Sequence, residues 1–251
     1  MTRMHRAAAL GFSRSAQAYE RGRPGYPEAA IRHLVAQLPP RPVVLDLAAG
    51  TGKLTRPLLE AGLSVIAVEP VAEMRAALPA GARTLDGTAE AIPLEAGSVD
   101  AVTVGQAFHW FDGEAALTEI ARVLRQGGAL ALVWNVRLED DPINGAIEEL
   151  VAPYRADVPT HRSDAWRPAF SRSRSFGPLD ERVFENAQEL DADGLEARVG
   201  SISFIAALDQ AEREQVLTRT RALAGQGGVT VPYRTEVQVC RRLRASTSPR
   251  A

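Results

Sequence analysis

Residues 43–53 read Val43-Val44-Leu45-Asp46-Leu47-Ala48-Ala49-Gly50-Thr51-Gly52-Lys53, and the predicted fold is organised around them. The apolar residues up to Leu47 predict a short buried strand, and the small residues after it predict a tight turn that leads into a helix. Residues 64–70, Ser-Val-Ile-Ala-Val-Glu-Pro, predict a second buried strand that ends on Glu69. A strand, a Gly-rich turn, a helix and a parallel strand form a right-handed βαβ unit.

The Gly-rich turn has the properties of a ligand-binding turn. Glycine at positions 50 and 52 lets the backbone approach a ligand closely, and the N-terminus of the following helix offers free N–H groups to an anion. Glu69 lies at the C-terminal tip of the second strand, where this architecture places an acid against ribose hydroxyls. A tight turn without a ligand is the alternative, because Gly-rich turns are common.

Two classes of ligand use this arrangement, and Asp46 separates them. A dinucleotide fingerprint needs Gly-x-Gly-x-x-Gly, whereas the frame that starts at Gly50 has Thr55 in place of the third glycine. The frame that starts at Ala48 reads Ala-x-Gly-x-Gly, which also fits poorly. An acid inside the first strand has no part in the dinucleotide pattern, but it suits a ligand with a cation near the turn. S-adenosylmethionine has an ammonium and a sulfonium there, so it is the predicted cofactor.

The stretch Leu-Asp-Leu-Ala-Ala-Gly-Thr-Gly resembles the first motif of class I S-adenosylmethionine-dependent methyltransferases of the small-molecule, type 11-like branch. The resemblance implies an α/β fold with a Rossmann-like, doubly wound sheet of seven strands, mostly parallel with an antiparallel last strand. It implies cofactor-binding roles for Asp46, Gly50, Gly52 and Glu69. Ala48 is counted with them, although the family usually has glycine there and alanine narrows the room under the methionine portion.

The same resemblance implies an N-terminal lid over the cofactor pocket. A tyrosine followed by Arg-Pro-x-Tyr-Pro occupies this place in many small-molecule methyltransferases, and here the matching residues are Tyr19, Arg23 and Tyr26. An arginine and a tyrosine are suited to bind the carboxylate of the cofactor. Without that context, the segment would be interpreted as a surface loop with packed aromatic rings.

Four further residues are assigned to the adenine side of the cofactor. Pro70 follows the ribose acid, and Met74 occupies a position that often packs on the adenine ring in this family, although a methionine is usually a core residue. Residues 86–94 resemble the Gly-Asp-Ala-Glu-x-Leu-Pro turn, whose Asp receives the adenine amino group. Thr88 stands at the Asp position, and Ala89 contributes its backbone N–H.

The segment Gly105-Gln106-Ala107-Phe108-His109-Trp110-Phe111 follows the fourth predicted strand, and ligands bind outside such C-terminal strand ends in open α/β sheets. It lacks the Asn/Asp-Pro-Pro-Tyr motif of enzymes that act on nucleobase or amide nitrogens, and it resembles the trans-aconitate-type branch. Gln106 is expected to bridge cofactor and substrate. His109 is the candidate general base, with a hydrogen-bonded structural histidine as the alternative, and the two aromatic residues after it are expected to be pocket walls.

Composition limits the other functions. The chain has 251 residues and a net charge of −2, which indicates no nucleic-acid or membrane surface. The single cysteine, Cys240, excludes an internal disulfide and suits the cytoplasm. No apolar run approaches the length of a membrane span, and no metal-ligand spacing appears. We therefore expect a cytoplasmic monomer or homodimer that acts on a small molecule, without metal. An NAD(P)-dependent oxidoreductase and a non-catalytic cofactor-binding protein are the alternatives.

The whole chain, 1–251, is expected to form one domain. Residues 1–40 form the lid, 43–135 the cofactor-binding core, and 136–251 a substrate-shaping insertion and the C-terminal strands. Within these parts, the patterns predict the following elements: helices at 27–37, 71–78, 112–124, 142–154, 191–199 and 209–223, strands at 82–85, 98–104, 129–134 and 182–185, an irregular segment at 155–175, and an antiparallel last strand at 230–241.

Overall fold

The structure is a computed structural model that describes residues 20–155 and 164–244. Tyr19, predicted to belong to the lid, therefore lies outside the described residues. The strands of the described part are β1 (Val43–Leu47), β2 (Ser64–Val68), β3 (Arg83–Leu85), β4 (Val99–Gly105), β5 (Leu124–Arg137), β6 (Asp180–Leu190) and β7 (Val229–Arg241). Its α-helices are α1 (Glu28–Ala36), α2 (Thr55–Glu60), α3 (Ala72–Arg75), α4 (Gly113–Val123), α5 (Pro142–Val151), α6 (Arg167–Arg172), α7 (Ala192–Gly200), α8 (Ser203–Ala206) and α9 (Gln210–Leu223).

These strands form one sheet in the order β3-β2-β1-β4-β5-β7-β6. The first five pair in parallel, and β7 lies antiparallel between β5 and β6. The predicted Rossmann-like α/β class, with its antiparallel last strand, is confirmed. The strand order reverses between β1 and β4, and this point is where an open α/β sheet forms a crevice at its C-terminal edge.

Alternating side chains of the central strands feed two separate apolar layers. On one face, Val44 and neighbouring β4 and β5 residues pack with α1 and α2. On the other face, Leu45 and its neighbours pack with α4 and α6. A third cluster joins α5, α7 and α9 to the N-terminal part of β7, through Val231 and Tyr233. The helices therefore cover both faces, and the C-terminal strand edge is left for the connecting loops.

Three predicted elements differ from the structure. The strand predicted at 182–185 extends over Asp180–Leu190, because antiparallel pairing with β7 continues along its whole length although many of its side chains are exposed. The segment predicted to be irregular contains α6, and Trp166 beside it is buried against Phe108 and Trp134. Residues 125–128, between the helix predicted at 112–124 and the strand predicted at 129–134, belong to β5, which begins at Leu124 and breaks register with β4.

No helix within residues 20–155 and 164–244 is long and apolar enough to cross a bilayer. Cys240 is buried on β7, and burial raises the pKa of its thiol to about 12. The thiol is therefore an unreactive packing group in the folded protein.

Candidate functional site

A cleft opens at the C-terminal ends of β1, β4 and β5, with about 600 Å³ of unfilled space including its open mouth. Its lining comes from the N-terminal segment, the turn after β1, the ends of β4 and β5, and α7. The lining residues are Arg23, Pro24, Tyr26, Asp46, Ala48, Ala49, Gly50, Thr51, Lys53, Leu54, Gly105, Gln106, Asn135 and Arg198.

The turn after β1 is built from positive-φ residues. Ala48, Gly50 and Gly52 have φ of 55°, 59° and 90°, a region that costs an L-residue roughly 1–2 kcal/mol. A Cβ on Gly50 would meet nothing within 4 Å, whereas one on Gly52 would meet the side chain of Pro79 at 2.7 Å. Gly52 therefore serves packing, and Gly50 leaves open space where a ligand can approach the backbone.

Asp46 lies at the base of the cleft and is 0% exposed. Thr55 Oγ1 donates a hydrogen bond to its Oδ2 at 2.6 Å, and Thr103 Oγ1 donates to its Oδ1 at 3.0 Å. Burial raises the pKa of the carboxyl from 3.8 to about 6, because these two hydrogen bonds only partly offset the lost hydration. The carboxylate is thus held in one orientation and lacks a cation among the described residues that contact it.

Glu69 lies after β2, on the other side of the same turn, and it is not among the cleft-lining residues. Its Oε2 accepts from the Gly50 N–H at 2.8 Å, and its Oε1 accepts from the Val71 N–H at 2.9 Å. Burial raises the pKa of this carboxyl, and the two N–H groups oppose that rise. Each carboxylate oxygen retains acceptor capacity, so the group can still receive hydroxyl hydrogens.

The described part of the N-terminal segment crosses the edge of the sheet. Glu20 accepts from Thr51 Oγ1 at 2.6 Å and pairs with Lys53 at 3.4 Å and with Arg56 at 2.9 Å. At the other side, the Gly22 carbonyl accepts from β6, and a Cβ there would lie 2.4 Å from the backbone of α7. The segment is therefore fixed at both sides of the cleft, as a lid would be.

Gln106 and Asn135 connect the ends of β4 and β5 to the N-terminal segment. Gln106 has φ of 56°, and its Nε2 donates to the Asn135 carbonyl at 3.0 Å. Asn135 Nδ2 in turn donates to the Gly25 carbonyl at 3.0 Å. Tyr26 lies against β4, because a Cβ on Gly105 would meet its hydroxyl at 2.7 Å. The structure thus brings Tyr26, Gln106 and the turn after β1 to one cleft.

Arg23 reaches α7 at the far side of the cleft. Its Nη2 donates to the Ser201 carbonyl at 2.7 Å. The predicted role toward the carboxylate of the cofactor stays a prediction.

The residues predicted for the adenine side lie apart from this cleft. Met74 is 3% exposed on α3, and Ala89 is 4% exposed within the layer under α4. Pro70 and Thr88 are exposed, and Thr88 forms an isolated bridge with Ala91. Their predicted contacts to adenine stay predictions.

His109 is not among the cleft-lining side chains. It lies on the 3₁₀ turn Phe108–Trp110, and its ring centroid is 4.9 Å from that of Trp110 and 5.6 Å from that of Trp134. Trp110 is half-buried, and Phe111 packs on Phe108. The role of His109 as a base stays a prediction, and the surrounding aromatic rings favour its structural alternative.

Three features of the cleft were not predicted. Glu20 and Lys53 form an ion pair beside the turn after β1. Thr103, on β4, helps to orient Asp46. Arg198 reaches the cleft from α7, about 150 positions beyond the turn, and its helix carries no local signal of a ligand site.

The donor set fits S-adenosylmethionine. One buried carboxylate lies beside a turn with open space at Gly50, and a second carboxylate with spare lone pairs lies behind that turn. Among residues 20–155 and 164–244, no group of three His, Cys, Asp or Glu side chains could hold a metal ion. The sheet order and the acid-flanked turn define the class of Rossmann-like methyltransferases.

Comparisons with known proteins agree with that class. Residues 45–132 match the family model described as a methyltransferase domain. An uncharacterized methyltransferase of Mycobacterium tuberculosis, Rv3342, is 42% identical over 96% of this chain and 98% of its own. A methyltransferase-like protein of Schizosaccharomyces pombe, C25B8.10, is 36% identical over 79% of each chain. The solved structure of a type II methyltransferase from Anaeromyxobacter dehalogenans superposes with a TM-score of 0.64 at 25% identity, covering 88% of this chain and 97% of that one.

The chain therefore belongs to the methyltransferase family, and it is an S-adenosylmethionine-dependent methyltransferase. The predicted family and enzyme class are confirmed.

Proposed function

We propose that this protein transfers a methyl group from S-adenosylmethionine to a small-molecule acceptor with an oxygen, nitrogen or carbon nucleophile, of the carboxylate or natural-product type. The observation that carries the proposal is the cleft at the ends of β1, β4 and β5, where buried Asp46 lies beside the open face of Gly50. A cleft bordered by a peptide segment suits a small acceptor.

Three groups of this chain would hold the cofactor. Asp46 would pair with its ammonium, because a buried carboxylate gains most from a cation. The open face of Gly50 leaves room for the backbone to approach, and the spare lone pairs of Glu69 suit ribose hydroxyls. When bound, S-adenosylmethionine supplies a methyl group that its sulfonium already activates.

The remaining task of the chain is to align the acceptor and to exclude water. The segment at 20–26 is anchored at both sides of the cleft, which supports its role as a lid. A carboxylate acceptor needs no base. A hydroxyl or an acidic carbon does, and His109 is the proposed base in that case.

Binding of S-adenosylhomocysteine and of NADH is the first test. We expect S-adenosylhomocysteine to bind and NADH not to bind, in isothermal titrations of the full chain. Glu69→Gln should weaken S-adenosylhomocysteine about tenfold, the effect of one lost charge-assisted hydrogen bond. Glu73→Gln is the matched control, because this side chain is exposed on α3. Binding of NADH alone would instead favour an oxidoreductase.

Transfer of labelled methyl from the cofactor to a metabolite extract is the second test. Labelling of a small molecule supports the proposal, and binding without any labelled product would indicate a non-catalytic cofactor-binding protein. His109→Ala should lower turnover if the acceptor needs a base, with His33→Ala as the control. Unchanged turnover of a hydroxyl acceptor would remove the assignment of His109.

A further inference from the structure

Arg198 is a buried cation at one end of the cleft. It is 7% exposed and belongs to the cleft lining. Its Nε donates to the Tyr233 hydroxyl at 2.9 Å, and its guanidinium carbon lies 5.8 Å from the centroid of that ring. Its Nη1 is buried and has no hydrogen-bond partner within the part of the chain that the structure describes. The guanidinium is therefore oriented by one contact and left with donors to spare.

A buried guanidinium needs an anion, because arginine keeps its charge in proteins and an unpaired buried charge is expensive. No carboxylate in residues 20–155 or 164–244 forms an ion pair or hydrogen bond with Arg198. The acid of the same cleft is Asp46, and it is oriented by two threonine hydroxyls. Within the described residues, Arg198 is thus a buried cation without an anionic partner.

The position of Arg198 separates it from the proposed cofactor site. Its contact residue Tyr233 lies on β7, and Asp46 lies on β1, with β4 and β5 between these strands. Three steps of about 4.8 Å place β7 about 14 Å from β1. Glu69, the proposed ribose acid, follows β2 on the far side of β1. Arg198 therefore stands at the end of the cleft that is left for the acceptor.

We propose that Arg198 binds an anionic oxygen group of the methyl acceptor, a carboxylate or a phosphate, and that this protein therefore methylates acidic small molecules. Guanidinium N–H groups recognise such planar or tetrahedral oxyanions through charge-assisted hydrogen bonds. The proposal rests on the proposed function above for the identity of the ligand as an acceptor.

The binding test uses trifluoroacetate as the anionic probe and trifluoroethanol as its neutral counterpart. Line broadening of each probe is followed by ¹⁹F NMR on the full chain, with and without saturating S-adenosylhomocysteine. We expect trifluoroacetate to broaden and trifluoroethanol not to broaden. Arg198→Gln should weaken the trifluoroacetate effect about ten- to hundredfold, as for one lost hydrogen bond to a charged group. Arg219→Gln, exposed on α9, is the matched control and should leave it unchanged.

Variants are checked for folding by thermal unfolding, and Arg198→Lys serves where the glutamine variant does not fold. The lysine keeps the charge without the fork geometry and should retain part of the broadening. Equal broadening in wild type and Arg198→Gln, or none in wild type, would overturn the proposal. Loss of trifluoroacetate binding on adding S-adenosylhomocysteine, or a tenfold loss of S-adenosylhomocysteine affinity in Arg198→Gln, would assign Arg198 to the carboxylate of the cofactor instead.

A methyl-transfer assay is the second test of the proposal. A metabolite extract is separated on an anion exchanger near pH 8, and each fraction is incubated with labelled cofactor. We expect label in the retained fractions, with a KM for the acceptor raised at least tenfold in Arg198→Gln and kcat less affected. Label only in the unretained fraction would refute an acidic acceptor. No label in any fraction would count against the proposed function, while the NMR result would still decide whether Arg198 binds anions.

Discussion

Replacing Asp46 by asparagine should stabilise the folded protein at neutral pH while weakening its hold on a cationic ligand. The side chain is fully buried, and its two oxygens accept hydroxyl hydrogens from Thr55 and Thr103. Asparagine has nearly the same shape, and the Thr103 hydroxyl can accept from its amide while turning its own hydrogen toward the Leu45 carbonyl, 3.4 Å away. The substitution therefore removes a buried charge and leaves the packing in place.

The size of the effect follows from the pKa of Asp46, which burial raises from 3.8 to about 6. At about 1.4 kcal/mol for each pH unit, the ionised carboxylate destabilises the folded state by about 3 kcal/mol at neutral pH. The sign follows from proton binding. Between about pH 4 and pH 6 the folded state keeps a proton that the unfolded chain has released, so the free energy of unfolding falls as the pH rises through this window and is level above it.

Urea unfolding of wild type and Asp46→Asn at about pH 4.5 and about pH 7.5 measures how much the ionised carboxylate destabilises the folded state. Comparing the two proteins at each pH cancels the titration of the other carboxyls. We expect the stability advantage of Asp46→Asn to grow by about 2 kcal/mol between the two pH values, since part of the effect is already present at the lower one. An advantage that stays constant with pH, or a variant less stable than wild type at the higher pH, would refute the reasoning.

Asp100→Asn is the matched control, because its effect on the free energy of unfolding should have the opposite sign. Burial of Asp100 disfavours its charge, but the Val43 N–H and the Arg125 guanidinium outweigh that effect and hold its pKa below the usual range. Its contribution is present above the unfolded pKa and is lost as the pH falls through the folded one. Asp100→Asn should therefore be less stable than wild type at about pH 7.5. The difference in their free energies of unfolding should become smaller as the pH falls.

The same experiment separates a ligand site from a structural carboxylate. If Asp46 pairs with the ammonium of the cofactor, S-adenosylhomocysteine binding should strengthen as the pH rises through about 6, and Asp46→Asn should abolish that dependence. Retaining an unfavourable buried charge for the sake of a ligand is the usual conflict between stability and function at a binding site. Equal affinity and equal pH dependence in both proteins would show that the carboxylate serves the fold alone.

Three further predictions concern the lid, the turn and the thiol. Gly22→Ala should loosen the N-terminal segment, because the added Cβ would lie 2.4 Å from the α7 backbone. Gly25→Ala is the control, since open space surrounds that position. Limited proteolysis should cleave the N-terminal segment faster in Gly22→Ala than in Gly25→Ala. Gly50→Ala and Gly97→Ala should each destabilise by about 1 kcal/mol for a strained positive φ, but only the first should weaken S-adenosylhomocysteine binding. Iodoacetamide should label Cys240 only on unfolding, because its thiol is buried with a raised pKa; rapid labelling of the native chain would contradict the assigned burial.

Elements with local sequence signals could be predicted from the amino-acid sequence alone. The apolar run and small residues at 43–52 were enough for β1 and its turn, since a buried parallel strand and a glycine turn each need only a few neighbouring residues. The alternation at 230–241 likewise predicted β7 as an antiparallel strand. Family resemblance supplied the candidate acids, Asp46 and Glu69, because their roles depend on fixed spacing from that turn.

Which of these side chains share a cleft depends on contacts between segments that are distant in the chain. Asp46 lines it, whereas Glu69 turns toward the Gly50 and Val71 N–H groups, a choice that depends on backbone brought together across β1 and β2. His109 was central in sequence terms, yet its ring packs on its neighbour Trp110 and on Trp134 from β5.

Arg198 had no signal in the sequence at all. Its burial comes from β7, and its place in the cleft comes from the packing of α7 at the edge of the sheet. Local patterns set which segments become strands and helices, because those preferences act over a few residues. The partners of a buried charge are set by contacts between segments far apart in the chain, and these exist only once the sheet has assembled.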